Sequence, residues 1–483
     1  GFIMNESSLV TKVWNFAEVL RQSGMAYTDY VSQLTYMIFL KMDYQKFEEG
    51  YEESIIPDEY RWDKLMSKDG EELEKHYAGT LENLSRQKGI LGVIFSKAQN
   101  KIDTPVHIRK MVTLIDGIDW VSLSIDVKGS IYEGLLERNA TESKAGAGQY
   151  FTPRALIKAI VEVMRPDIDM NIIDPACGTG GFLIEAYDYI KKHIGKDKDK
   201  TKKLKENTLF GIDITHIVVS LCAMNLYLHG FGGSEGNTTV KQGDSLAKRT
   251  DTLYKMVLTN PPFGKKSAFK VFSDDGEVTT EKEDYIRDDF SVTTSNKQIN
   301  FLQHIMSILA IGGRAAVVLP DNVLFEGGAG EKLRRKLLNS CNLHTILRLP
   351  TGIFYAQGVK ANVLFFDKVT PVEGTAATKN IWIYDFRTNI NFTLVTNPLT
   401  FEDLEDFIKC YNADDINKRK ETDRFKKFSY DEIIKRDKMN LDIFWIKDET
   451  LEDLDNLPEP DELLISIKKN FKDTMDIIDS IDI

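Results

Sequence analysis

Cysteine is scarce in this 483-residue sequence, which has four such residues spread from position 177 to position 410. Their wide separation predicts neither a disulfide framework nor a metal site, and it favours a reducing cytoplasm as the compartment. No apolar run approaches the ~20 residues of a membrane-spanning helix, so we expect no contact with a membrane. The sequence also begins without a signal-peptide pattern. These absences argue against a secreted, disulfide-rich or membrane protein.

Positively charged residues are also fewer than negatively charged ones. The sequence has 62 Lys and Arg against 74 Asp and Glu, which gives a net charge of −12. A chain that binds nucleic acid tightly by itself more often carries a basic surplus. Three alternatives follow: a substrate other than nucleic acid, basic patches of local extent, or a partner that supplies most of the contact with nucleic acid.

Hydrophobic periodicity divides the chain into three regions. Residues 4–140 have apolar residues at helical spacing, which predicts an all-helical N-terminal domain. Within 149–400, apolar strands alternate with helical patterns, which predicts a doubly wound, Rossmann-like α/β sheet. Residues 401–483 become acidic and helical, and the last helix has an apolar face that suits either packing onto the rest of the chain or docking onto a partner. The strand candidates are 170–173, 208–212, 239–242, 256–258, 315–319, 345–349 and 363–366.

Two polar inserts interrupt this alternation. Residues 195–207 are rich in Lys and Asp and are expected to form a solvated loop, with a DNA-contacting segment as the less favoured alternative. Residues 265–297 are polar and charged, and they are long enough to form a flexible flap.

Asn260, Pro261, Pro262 and Phe263 follow a buried strand candidate and suggest chemistry on an exocyclic amino group. The prolines fix φ and stiffen the turn. The Asn260 side-chain oxygen and the Pro261 carbonyl could then both accept hydrogen bonds from one –NH2 group. Phe263 offers an apolar face on which a base could stack. The alternative is a rigid strand-exit turn without chemistry, because Asn and Pro are ordinary turn formers.

The segment that starts at Asp174 reads Asp-Pro-Ala-Cys-Gly-Thr-Gly-Gly and joins the first strand candidate to a helix. Its residues Gly178, Thr179, Gly180 and Gly181 allow a sharp turn and a close approach of a ligand to the backbone. The spacing differs from the Gly-x-Gly-x-x-Gly pattern of dinucleotide sites. A carboxylate at Asp174 disfavours a pyrophosphate but suits a ligand with ammonium and sulfonium groups. S-adenosylmethionine has both.

Two more carboxylates end the next two strand candidates. Asp213 suits the ribose hydroxyls of a nucleoside, and Asp244 could accept a hydrogen bond from the adenine amino group. Either one alone is an ordinary turn residue. Together with Asp174 they indicate one ligand at the carboxyl edge of the sheet, where open α/β sheets bind ligands.

The order of these motifs closely resembles the modification (methylase) subunit of type I restriction-modification systems. That family consists of adenine-N6 DNA methyltransferases of the gamma motif order, and the resemblance covers almost the whole chain. A late segment that starts Leu-Pro-Thr-Gly-Ile-Phe, at 349–354, supports it. The other motifs, in chain order, are Gln149-Tyr150-Phe151-Thr152-Pro153-Arg154, the segment 174–182, Gly-Ile-Asp-Ile at 211–214, Gly-Asp-Ser at 243–245, and Asn-Pro-Pro-Phe at 260–263.

The resemblance implies roles and partners. Residues 149–154 would bind S-adenosylmethionine beside its methionine moiety, residues 178–181 would form the cofactor loop, and Asp213 would hold the ribose. Residues 260–263 would position an adenine flipped out of double-stranded DNA. A separate specificity subunit would recognise the sequence, typically in a complex of two methylase copies with one specificity chain. A restriction-translocase subunit would join the full complex. A partner that holds the DNA would explain the acidic charge.

Direct methyl transfer to adenine N6 needs no covalent protein nucleophile, and the sequence lacks the Pro-Cys dipeptide of a cytosine-C5 enzyme. Three alternatives stay open. The first is methylation of another planar amine, such as cytosine N4, an RNA nucleotide or a glutamine amide. The second is a nucleotide-binding assembly protein without turnover. The third, an NAD-dependent oxidoreductase, is disfavoured by Asp174 and by the glycine spacing.

Overall fold

The structure is a computed structural model. It describes residues 6–142, 151–230, 239–263, 268–272, 278–282, 285–356, 358–450 and 460–480. Gln149 and Tyr150, the first two residues of the predicted cofactor segment, lie outside the described residues. Among the helices that are described, none combines the length and the hydropathy of a bilayer-spanning segment.

The described part of the N-terminal region, residues 6–142, contains helices and no strand, as the sequence predicted. The α-helices are α1 (Glu6–Gln22), α2 (Tyr27–Glu48), α3 (Trp62–Met66), α4 (Gly70–Ser85), α5 (Ile90–Ile94), α6 (Pro105–Asp116) and α7 (Ile125–Glu142). The long α2 lies in the interior, because 13 of its 22 residues are buried. A helix that is apolar on most sides can only be stable when its neighbours cover it.

Strands build the second region. They are β1 (Ile172–Asp174), β2 (Leu209–Asp213), β3 (Val240–Gln242), β4 (Tyr254–Thr259), β5 (Ala268–Phe272), β6 (Val278–Lys282), β7 (Leu309–Pro320), β8 (Cys341–Arg348), β9 (Ala361–Lys368), β10 (Asn380–Asp385) and β11 (Phe425–Ser429). Among the described residues, β5 and β6 form a separate antiparallel hairpin and the other nine strands form one sheet. All seven strand candidates from the sequence are confirmed within it.

The sheet is mixed, with the order β11-β10-β8-β9-β7-β4-β1-β2-β3. Neighbours from β3 through β7 are parallel, whereas β9 is antiparallel to both β7 and β8. The chain order reverses between β1 and β4. Ligands of open α/β sheets bind at such a reversal point.

Helices cover both faces of this sheet, which confirms the doubly wound fold. They are α8 (Arg154–Met164), α9 (Gly181–Ile194), α10 (Lys198–Glu206), α11 (His216–Leu228), α12 (Lys297–Ile308), α13 (Asn322–Phe325) and α14 (Ala329–Ser340). The neighbours Ile172 and Ile173 of β1 lie in opposite cores, the first with α8 and α9 and the second with α12 and α14. This is the side-chain alternation that a strand buried on both faces imposes.

The insert at 195–207 is mostly helix, so the prediction of a loop is wrong. The Asp197 side chain accepts a hydrogen bond of 3.1 Å from the backbone N–H of Lys200 and caps α10. Leu204 is buried beneath the helix, and most other side chains are exposed, as expected. Lysine is a good helix former, so a cap and one apolar anchor hold this short helix.

Helix α11 belongs to two cores at once. Its residues Leu221 and Met224 pack among the N-terminal helices, whereas Cys222 and Leu226 pack beneath the sheet. The sequence of α11 is apolar almost all round, as a helix enclosed on both sides requires. The N-terminal helices are thus anchored on an element of the α/β region.

The region after residue 400 contains α15 (Glu405–Tyr411), α16 (Tyr430–Ile434) and α17 (Pro460–Asp479). It also contributes the edge strand β11, which the sequence did not reveal. Helix α17 has no buried residue along its 20 positions. Its exposed apolar face is formed by Leu464, Ile467, Phe471, Met475 and Ile478.

Candidate active site

Asp174, the last residue of β1, is almost fully buried at the centre of the carboxyl edge. Its Oδ1 accepts hydrogen bonds from the Thr259 hydroxyl at 2.6 Å and from the Ala176 N–H at 3.1 Å. Burial raises the pKa of the carboxyl to about 7, although both hydrogen bonds oppose this shift. Because Thr259 directly precedes Asn260, this bond ties the predicted cofactor segment to the predicted catalytic one.

The glycine-rich loop turns into α9 through two residues with positive φ, Gly178 at 54° and Gly180 at 90°. A Cβ on Gly180 would lie 2.9 Å from the Sγ atom of Cys222 on α11, which is too close. The next residue, Gly181, begins α9 against Ile157 of α8. The glycines are therefore required by backbone conformation and by close packing together.

Asp213, at the end of β2, meets this loop directly. Its Oδ2 accepts a hydrogen bond from the Gly178 N–H at 3.0 Å, and its Oδ1 accepts one from the Thr215 N–H at 3.0 Å. The pKa of this carboxyl lies above its ordinary value, because the effect of burial outweighs that of the backbone hydrogen bonds, which lower it. The structure thus brings Asp213 and the predicted cofactor loop together.

Asp244 lies in the turn after β3, and its carboxylate is engaged by two groups. The Tyr285 hydroxyl donates to Oδ2 at 3.0 Å, and the Leu246 N–H donates to Oδ1 at 3.0 Å. The adjacent Ser245 hydroxyl donates to the Pro175 carbonyl at 2.7 Å, which holds this turn against the turn after β1. Tyr285 belongs to the insert at 265–297, whose flexibility stays a prediction.

Asn260 contacts another predicted segment. Its Nδ2 donates a hydrogen bond of 2.8 Å to the Thr152 hydroxyl. The neighbours Phe151 and Pro153 are half-buried, and Pro153 is the N-cap of α8, which begins at the exposed Arg154. Thr152 and Asn260 are 108 residues apart in sequence, so the fold alone brings these two motifs into contact.

The other three residues of the tetrapeptide, two prolines and a phenylalanine, pack beside Asn260 with restricted backbone freedom. Pro261 is buried and Pro262 is exposed, and the Pro262 carbonyl lies 3.5 Å from Nε2 of Gln298 on α12. The ring of Phe263 is half-buried, with its centroid 5.8 Å from that of Phe354 at an interplanar angle of 59°. Phe354 belongs to the late segment of the sequence resemblance.

Sequence reasoning missed the residues that support these motifs. Thr259 and Tyr285 hold the two carboxylates Asp174 and Asp244. Asn225 of α11 donates to the Thr179 carbonyl, and Glu133 of α7 accepts from Asn225. Only Thr259 was detectable, since it adjoins a motif.

The comparisons with known proteins agree with this arrangement. A sequence profile of the family described as N-6 DNA Methylase matches residues 123–452, and a profile described as HsdM N-terminal domain matches residues 9–116. The first match covers well over half of the chain. The chain belongs to the N-6 DNA methylase family.

Two relatives of this methylase are subunits of bacterial restriction enzymes. It is 39% identical to the type I restriction enzyme EcoKI methylase subunit of Escherichia coli K12. It is 38% identical to the StySJI methylase subunit of Salmonella typhimurium. Each alignment covers 95% of this chain and 92% of the relative.

Solved structures give the same result for the fold. A chain from a study of complex assembly and conformational transition of the type I R-M system superposes with a TM-score of 0.73 at 26% identity, covering 99% of this chain and 98% of that one. The EcoKI M protein gives 0.54 at 33% identity, covering 98% and 95%. A modification subunit from Vibrio vulnificus gives 0.71 at 25% identity, covering 92% and 98%. The predicted family resemblance, fold class and enzyme class, an adenine-specific DNA methyltransferase, are confirmed.

Proposed function

We propose that this methylase transfers a methyl group from S-adenosylmethionine to adenine N6 in double-stranded DNA, as the modification subunit of a type I restriction-modification system. The observation that carries this proposal is the joining of three motifs at one edge. Thr259 ties the Asn-Pro-Pro-Phe segment to Asp174, and Asn260 ties it to Thr152. The groups proposed to hold the cofactor and those proposed to hold the base are thereby adjacent.

The described residues fit S-adenosylmethionine. Asp174 is a buried carboxyl with a raised pKa, and a cationic ligand beside it would favour its ionised form. At Gly178 no atom lies within 4 Å of the place that a Cβ would take, which leaves room for a ligand to approach the peptide plane. Asp213 keeps carboxylate lone pairs for ribose hydroxyls beyond its two backbone hydrogen bonds. The cofactor, when bound, supplies a methyl group activated by a sulfonium centre.

The protein's part in the reaction is to position the base. The Asn260 side-chain oxygen and the Pro261 carbonyl accept hydrogen bonds from the adenine amino group, and Phe263 stacks on the flipped base. The hydrogen bond from Asn260 to Thr152 orients the amide for this contact. Cys177 is no nucleophile, because its thiol is buried and its pKa is raised well above the ordinary value.

The chain would obtain its target sequence from a separate specificity subunit, in a complex of two methylase copies with one specificity chain that a restriction-translocase subunit completes. Two observations support this part of the proposal. The net charge of −12 suits a subunit that shares its DNA contacts with a partner. Helix α17 also has a fully exposed apolar face of the kind that docks onto another helix. A reducing cytoplasm, where DNA is accessible, is the proposed compartment.

The test is transfer of labelled methyl from S-adenosylmethionine to DNA, with and without the co-expressed specificity subunit. We expect N6-methyladenine only when that subunit is present. A label on cytosine, RNA or protein would overturn the assignment to adenine. A chain that binds its partner and the cofactor but never turns over would support an assembly protein instead.

Replacing Asn260 tests the chemistry. Asn260→Ala should lower the transfer rate at least about a hundredfold, because the base loses a positioned hydrogen-bond acceptor. Its affinity for S-adenosylmethionine should change little. Asn171→Ala is the matched control. The Asn171 side-chain oxygen accepts a hydrogen bond from the N–H of Lys255, at the end of β4 opposite to Asn260. Normal transfer by Asn260→Ala would refute the assigned role.

A further inference from the structure

One buried carboxylate of the N-terminal helices contacts Arg154 of the proposed cofactor segment directly and reaches the glycine-rich loop through Asn225. Glu133, on α7, is 5% exposed. It accepts a hydrogen bond from Nδ2 of Asn225, and its Oε2 lies 3.8 Å from Nη1 of Arg154. Asn225, on α11, is fully buried and uses the same Nδ2 to donate to the Thr179 carbonyl at 2.9 Å. A chain of polar contacts therefore runs from the N-terminal helices to the cofactor loop.

The contact to Thr179 falls between two glycines, residues that allow the backbone more conformations than other residues do. Thr179 lies between Gly178 and Gly180, both with positive φ, and glycines on either side allow many alternative conformations. A hydrogen bond from a rigid, buried side chain selects one of them. Burying the Glu133 carboxylate and the Asn225 amide costs free energy, and only well-made polar contacts offset that cost.

The distance between α7 and α11 is set one turn before Glu133. Gly129 packs directly on the ring of His229, so that an added Cβ would lie 2.3 Å from Nε2 of that ring. The other ring nitrogen, Nδ1, lies 2.8 Å from the Asn225 carbonyl. The His229 ring, directly after the last residue of α11, therefore lies as close to α7 as a glycine allows, and this contact holds α7 against the end of α11 near Glu133 and Asn225.

We propose that Glu133 and Asn225 are positioning residues through which the N-terminal helices set the conformation of the cofactor loop. These helices then determine the affinity for S-adenosylmethionine without touching it. The inference rests on the proposed function for the identity of the cofactor. Its consequence is reciprocal: bound cofactor stabilises the contact between α7 and α11 to the same extent that this contact favours cofactor binding.

The first test compares Asn225→Ala with the parent, both as full chains. We expect the dissociation constant for S-adenosylmethionine, measured by titration calorimetry, to rise about tenfold, as when a buried hydrogen bond is lost. The transfer rate at saturating cofactor, with the specificity subunit and DNA, should change by less than about threefold. In the absence of cofactor, amide hydrogen exchange at residues 178–181 should become faster.

Two glycine variants on α7 supply a matched pair. Gly129→Ala meets His229, whereas Gly134→Ala meets only the Val10 methyl groups at an ordinary 3.8 Å. Both add one methyl group and the same helix propensity. We expect weaker cofactor binding and faster loop exchange for Gly129→Ala alone.

The outcomes separate the two proposals. A parent chain that does not bind S-adenosylmethionine would refute the proposed cofactor. The exchange measurement would still test the coupling of α7 to the loop. A parent that binds it, with Asn225→Ala and Gly129→Ala binding equally well and with unchanged loop exchange, would overturn the coupling alone.

Discussion

Asp174 combines an unfavourable position for folding with the role proposed for it in binding a cationic cofactor. Its carboxyl is buried and accepts hydrogen bonds from Thr259 and Ala176. In the cofactor-free chain its pKa of about 7 lies well above the ordinary value of 3.8. The folded chain therefore retains a proton on Asp174 that the unfolded chain releases, in the interval between these two pH values.

This difference has a definite sign. From about pH 4 to pH 7 the native state binds more protons at this site, so the free energy of unfolding decreases as the pH rises. Over this interval the free energy of unfolding decreases by at most about 4 kcal/mol, at about 1.4 kcal/mol for each unit that separates the folded and unfolded pKa values of Asp174. Above pH 7 the contribution of Asp174 no longer changes.

Asp174→Asn should remove this loss of stability at high pH. The amide oxygen of the new side chain can still accept a hydrogen bond from Thr259, and an amide does not ionise. We expect the variant to be more stable than the parent. The difference between their free energies of unfolding should increase by about 2 kcal/mol from pH 5.5 to pH 8. Chemical denaturation at both pH values measures it. The dissociation constant for S-adenosylmethionine should fall with rising pH in the parent and stay level in the variant. A gap that narrows with rising pH would refute the assigned ionisation.

The residues of the site that belong to short sequence motifs could be predicted from the sequence. The segments at 174–181 and 260–263, with Thr152, Asp213 and Asp244, lie at the carboxyl edge because strand ends converge there. Their roles in catalysis and binding stay predictions. The pairs Glu133–Asn225 and Tyr285–Asp244 left no local signal, because each joins residues that are tens of positions apart.

At the scale of elements, the central strands β1, β4 and β7 were predictable, whereas β10 and the edge strand β11 were not. The strands β1, β4 and β7 each contain an uninterrupted run of buried apolar residues, as expected of parallel strands covered on both faces. The edge strand β11 reads Phe-Lys-Lys-Phe-Ser and exposes its two lysines. Lysines on an edge strand discourage pairing with other chains, and they also hide the strand from a hydrophobicity pattern.

Helix α17 gives the prediction at this scale. The double variant Ile467→Asp with Phe471→Asp should lose co-purification with the specificity subunit, because it places two charges on the apolar face. Stability and cofactor affinity should stay unchanged, since no residue of α17 is buried. A double alanine variant at Lys469 and Asp473, on the same helix, is the control. Retained co-purification of the aspartate variant would exclude α17 as the docking element.

At the scale of the whole molecule, α11 joins two cores into one cooperative unit. Met224 lies in the N-terminal core and the neighbouring Cys222 lies in the core beneath the sheet, so neither core is complete without this helix. We expect one unfolding transition, reported alike by Trp62 and Trp120 in the N-terminal core and by Trp382 in the sheet.

Met224→Ala should lower the free energy of unfolding by about 2–5 kcal/mol, because it leaves a cavity in a closely packed core. It should shift the transition equally for both regions. Hydrogen exchange followed by mass spectrometry resolves the two regions within one sample. Two separate transitions in the parent chain would contradict this view of α11.

The shared helix also bears on how the chain is made. The ribosome releases residues 6–142 first, but their core lacks Leu221 and Met224 until the chain has grown past residue 228. At synthesis rates of about 5–20 residues per second, those 86 further residues take about 4–17 s. During synthesis the nascent N-terminal helices therefore expose an unfilled apolar cleft, and that interval is when a chaperone would have the most to protect.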